Sequence, residues 1–167
     1  IWQDEKNKIE NYIPQLQIVF ENTQFTDKAE KWLDCQLQSD LFTVTFVTSV
    51  EGGAEAIDIS QSQDVFGIER GFEDAFYFIG HEFIIYLLMN VLANENAFKT
   101  FDTWEATEGL TEYYLKKIMG NIRFKEHRKY VEYYEKCEKK VPLSPVELYR
   151  QALKDAAILK HNERGFA

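Results

Sequence analysis

Apolar residues recur at spacings of three and four along most of this chain, and that pattern predicts a largely helical protein. Over residues 5–20 it places Ile9, Tyr12, Ile13, Leu16 and Phe20 on one side of a helix. Pro14 is expected to kink or split that helix, because it lacks an N–H and its ring crowds the preceding turn. Thr26 reads as the cap of a second helix carrying Ala29, Trp32, Leu33 and Leu37. Residues 41–50 are rich in β-branched residues and Phe and predict a strand, which Gly52-Gly53 ends. Residues 54–59 predict another short strand, with Ala54 and Ala56 on one face and Glu55, Ile57 and Ile59 on the other.

The period then returns to that of a helix. Phe76, Ile79, Phe83, Tyr86, Leu87 and Asn90 mark a helix over 72–92 whose other sides are nearly all apolar, so it is expected to be buried all round. Further helices are predicted over 104–119 and 125–140, the latter with Tyr130, Tyr133 and Tyr134 as core positions. A last helix opens on Ser144 as N-cap, with Pro145 at the first position and Glu147 closing a capping box. The expected fold is α+β and mostly helical: one domain over 1–167, with a small antiparallel sheet from 41–60 packed on the 72–92 helix.

The chain has 167 residues, of which 45% are hydrophobic, enough for one real core and too few residues for two large domains. Its net charge of −9 argues against a nucleic-acid backbone as a partner, since phosphate binding needs a positive footprint. It also disfavours an anionic membrane surface, and the apolar run 83–91 is too short to span a bilayer. Cys35 and Cys137 fit no zinc spacing and are expected to be unpaired. The chain starts at Ile1 rather than Met. An excised piece of a longer protein, or an exported chain that has lost its signal, is therefore open. No compartment or oligomeric state follows from the sequence.

The chemistry of interest begins at His81-Glu82-Phe83-Ile84-Ile85. In an HExxH helix two His one turn apart bind zinc, and the Glu beside the first acts as general base on the metal-bound water. His81 and Glu82 are in place, but Ile85 stands where the second His would be, and its side chain cannot bind a metal. Helical spacing puts Ile85 on the face of His81. Glu108, near the start of the next long helix, returns to His81 if the two helices pack antiparallel, and Gly109 beside it would allow close approach of helices. On the residues alone, a satisfied polar pair inside a core remains open. His127, in the charged run Lys125-Glu126-His127-Arg128-Lys129, reads as solvated surface, and His161 sits in a similar setting.

The segment Trp104-Glu105-Ala106-Thr107-Glu108-Gly109-Leu110-Thr111-Glu112-Tyr113-Tyr114 resembles the Trp and Glu-Gly segment of gluzincin zinc aminopeptidases. It is most similar to the glycyl aminopeptidase family, with the membrane alanyl aminopeptidase family next. The resemblance covers about residues 50–120. It implies a zincin-like (gluzincin) fold, with His81 and Glu108 as metal ligands and Glu82 as the catalytic base. Gly52-Gly53-Ala54-Glu55 resembles the Gly-rich substrate strand of that family, which implies substrate binding by Gly53 and Glu55. Three departures stand beside it. Ile85 replaces a ligand, the gap from His81 to Glu108 is longer than in the alanyl family, and none of Tyr130, Tyr133, Tyr134 or Tyr149 is assignable as the family's transition-state tyrosine.

The expectation is therefore a degenerate metallopeptidase-like domain, inactive as a hydrolase, that binds a peptide or protein partner. Zinc is at most weakly held, and the expected cofactor is none. The alternatives are an active metal-dependent peptidase with a non-standard ligand set, and a purely structural helical domain.

Overall fold

The computed structural model describes residues 2–37, 42–47, 54–58, 63–67, 72–121 and 125–156. They form a mostly helical chain: α1 (Trp2–Thr23), α2 (Phe25–Leu33), three short strands β1 (Thr43–Val47), β2 (Ala54–Asp58) and β3 (Gln63–Gly67), then α3 (Phe72–Val91), α4 (Phe101–Met119), α5 (Arg128–Glu138) and α6 (Pro145–Lys154). A 3-10 turn, Lys125–His127, leads into α5. Among the described residues no helix is long and apolar enough to cross a membrane.

Pro14 does not split α1, which runs unbroken to Thr23. The lost hydrogen bond is tolerated because this part of the helix is held from the side. Leu16 is buried against Ala75 and Ile79 of α3, while Tyr12 and Phe20 pack against the same cluster. Thr26 is not a cap either. A single left-handed residue, Gln24, turns the chain between helices, and α2 already starts at Phe25. Asp34, also left-handed, ends it.

The sheet differs from the expected antiparallel pair. The strand order is β1-β3-β2, so β3 lies between the two expected strands, parallel to β1 and antiparallel to β2. Thr43 pairs with Gln63 and Ala54 with Phe66, and the β2–β3 register is irregular between Ala56 and Asp58. Gln63-Asp64-Val65-Phe66-Gly67 carries too little apolar alternation to announce a strand. Hydrogen bonds to a neighbour on each side make it one. Leu41, Gly52, Gly53 and Ile59 lie outside the described residues.

The core is built on α3, which is buried on nearly every side, as its sequence implies. α4 packs antiparallel to it: Gly80 faces Leu115, and His81 faces Glu108. A Thr100–Thr103 capping box starts α4 one turn earlier than the apolar pattern suggests. α5 and α6 close the other side of α4, with Tyr130, Val131, Tyr134, Leu148, Tyr149 and Ala152 all buried in the main cluster. The Ser144–Glu147 capping box of α6 forms as expected. Cys35 and Cys137 are both free thiols.

Gly109 serves a different contact from the one its place beside Glu108 suggests. It is the point where α4 meets α5 and not where it meets α3: a Cβ built there would lie 2.2 Å from Cβ of Tyr130. Tyr134 locks the same contact by donating to the carbonyl of Ala106 at 2.8 Å. Gly109→Ala should therefore force the helices apart and cost about 3 kcal/mol, at the upper end for overpacking a well-filled core. Chemical denaturation of the variant measures this, and a loss below about 0.5 kcal/mol would mean that the α4–α5 contact yields freely.

Candidate active site

α3 and α4 together place a histidine between two carboxylates. His81 lies 3.0 Å through Nε2 from Oε2 of Glu108, and 3.0 Å through Nδ1 from Oε1 of Glu112. Glu108 and Glu112 are one turn apart on α4, so they share a face, and the antiparallel packing brings both to the same imidazole. The other oxygen of Glu112 accepts from the hydroxyl of Tyr77, one turn before His81 on α3. The group is buried: relative exposure is 5% for His81, 9% for Glu108 and 0% for Glu112. Thr107 and Thr111, also buried, donate to carbonyls of their own helix four residues back and take no part.

The electrostatics follow from this geometry. Burial alone would push the imidazole towards its neutral form. Hydrogen bonds to Glu108 and Glu112 outweigh burial and raise His81 from 6.5 to about 9. At neutral pH both ring nitrogens then carry protons and both donate. Glu82, half-buried beside this group, has its carboxyl pushed up by burial; the His81 charge opposes that shift and the Glu108 charge adds to it.

Of the residues singled out in the sequence, the fold brings His81, Glu82 and Glu108 together. Ile85 is buried one turn beyond His81 and offers only an apolar surface. Gly53 and the side chain of Glu55 lie outside the described residues. The backbone of Glu55 pairs with Val65 on β2, an edge strand of the sheet, and β2 and β3 both contact α3. His127 is not solvated surface: it is 5% exposed, with its ring set edge-on to Trp104 at a centroid distance of 5.7 Å. The 3-10 turn tucks this side chain against α4, and Lys129 of the same run pairs with Glu105 there at 3.2 Å. His161 lies outside the described residues.

Glu112 is the residue that sequence reasoning missed. The signal was present in its i, i+4 spacing from Glu108, but only the position of α3 shows that both carboxylates reach one histidine.

Among the described residues no three His, Cys, Asp or Glu side chains converge on one point. The reason is visible in His81, whose two nitrogens point to different carboxylates on different sides of the ring. A metal at Nε2 would find Glu108 as one protein partner and the hydrocarbon of Ile85 where a catalytic site needs another ligand.

No known protein family, no curated protein and no solved structure matches the chain.

The raised pKa of His81 makes stability pH-dependent with a definite sign. The folded value, about 9, exceeds the unfolded 6.5. The contribution is thus complete below pH 6.5 and is lost as pH rises through 9. Urea denaturation across this window should show a fall on the order of 3 kcal/mol, and Glu112→Gln should flatten it. A flat wild-type profile would mean that folded His81 is neutral. His81→Ala leaves two buried carboxylates without their cation and should cost about 3–5 kcal/mol at pH 6.

Proposed function

We propose that this domain is a degenerate gluzincin metallopeptidase-like domain, inactive as a hydrolase, that binds a peptide or protein partner. One observation carries the reading. His81 is held between Glu108 and Glu112 in the arrangement expected of a metal-ligating histidine, while Ile85 occupies the second ligand position. Metal-bound histidines almost always donate their other ring N–H to a carboxylate, which fixes the tautomer and aims the remaining nitrogen. Glu112 stands in that relation to Nδ1, and Glu108 stands at Nε2.

The site favours a proton over a metal. A metal at Nε2 must displace a proton held with a pKa of about 9, which lowers apparent affinity about 100-fold at pH 7. Losing one protein ligand of three removes several more kilocalories, by analogy with the ~10–16 kcal/mol shared among the ligands of a structural zinc. Partner binding rests on β2. As an edge strand it has one side free of sheet partners among the described residues, and an extended peptide pairs with such an edge.

Elemental analysis of the protein purified without chelators should give zinc well below one per chain, and peptide and aminoacyl-amide substrates should be hydrolysed weakly or not at all. Zinc near one per chain, lost in His81→Ala, would instead support an active enzyme with a non-standard ligand set. Ile85→His restores a third donor on the His81 face and should raise metal uptake towards one per chain. No gain in a folded Ile85→His would sink the gluzincin reading.

Partner binding is tested separately. Short extended peptides at about millimolar concentration should slow hydrogen exchange in Ala54–Asp58 and leave α6 unchanged. No protection with any peptide would leave the purely structural reading.

A further inference from the structure

A cavity of about 390 Å³ lies on the side of α3 turned away from His81. Its walls come from β1, α1 and α3, each by its own periodicity, with Phe25 and Thr26 added from the start of α2. β1 contributes Phe42 just before the strand and then Val44 and Phe46, alternate residues and hence one face. α1 contributes Leu16 and Phe20, and α3 contributes Ile79 and Phe83, each pair one turn apart. Phe20, Phe25, Phe42 and Phe83 meet edge to face, with centroids 5.1–5.9 Å apart, which gives the walls a fixed shape. The polar lining is confined to Gln17, Glu21 and Thr26. Among the described residues of the lining, Glu21 is the one that carries a charge.

We infer that this cavity is a binding site for a small aromatic or apolar molecule whose polar end is neutral or cationic. Two observations choose the occupant. An apolar cavity of about 150 Å³ takes one benzene ring, so this volume suits a ligand of two rings or a short hydrocarbon chain. The charge at the rim chooses the head group. A carboxylate would meet the charge of Glu21 and, among the described lining residues, no basic partner, whereas an amine is attracted to Glu21. The site is separate from the His81 group, so its test is independent of the function proposed above.

The test uses the neutral fluorophore N-phenyl-1-naphthylamine, which brightens in apolar surroundings. The whole chain should bind it saturably, with a dissociation constant on the order of 10 µM. 1-Naphthylmethylamine should displace it at a concentration about fivefold lower than 1-naphthoate, the range expected of one exposed charge. Glu21→Gln should erase that difference. Val44→Trp, which fills the cavity from β1, should weaken probe binding at least about tenfold. Ile13→Trp, at the half-exposed rim, tests the same point with less risk to folding.

Saturable binding lost in either tryptophan variant supports the site. Probe binding unchanged in both variants, or preference for the carboxylate, would overturn it. A monomer that takes up no probe would mean that the chain's own residues fill the gap, which also overturns it. So would a dimer that Ile13→Glu dissociates, since a second copy would then be the occupant.

Discussion

The imidazole of His81, set between the carboxylates of Glu108 and Glu112, fixes how α3 and α4 meet. α3 is apolar on nearly every side, and apolar contact alone would leave its rotation and register against α4 weakly specified. Three buried charges change that. Each carboxylate needs the imidazolium, and the imidazolium needs both, because an unpaired buried charge is far more costly than a shifted apolar contact. Tyr77 satisfies the remaining oxygen of Glu112 and adds a second tie one turn along α3. Only one register of two antiparallel helices meets all of these conditions.

The rest of the main core follows from where α4 is held. Its opposite side is shaped to take α5 at very close range, with Gly109 under Tyr130 and the carbonyl of Ala106 bonded to Tyr134. Lys116 and Lys117 reach Glu135 and Glu138 across the same contact, and Lys117 also lies 3.8 Å from the centre of the Trp32 ring. These ion pairs are partly exposed and add little energy singly. Their value lies in tying α2, α4 and α5 into one register. The carboxylates that face His81 are thus carried on a helix braced from behind, which a preorganised site requires.

A charged group of this kind ties two helices together as well as placing three titratable side chains side by side. A proton on Nε2 takes the place that a metal would take between His81 and Glu108, and it asks for no third ligand. A buried isoleucine at 85, one turn from His81, is compatible with a stable core for that reason. Ile85 itself adds only buried hydrocarbon to the wall.

Local spacing was enough to read the helices from 72 onward, the α6 capping box, and the candidates His81, Glu82 and Glu108. Those features rest on spacing and capping within one segment, interactions that close over three or four residues. It did not determine that Gln63–Gly67 is a central strand, that Gly109 faces α5, or that His127 is buried. Nor did it determine that Glu112 reaches His81, or that the two carboxylates push the imidazole pKa up. Each of these depends on which element packs against which. Hydrogen-bond partners across a sheet, the space left at a helix crossing and the local dielectric all come from residues distant in sequence. Only the tertiary structure, by bringing α3 and α4 together antiparallel, turned two glutamates a turn apart into a charged cradle for one histidine.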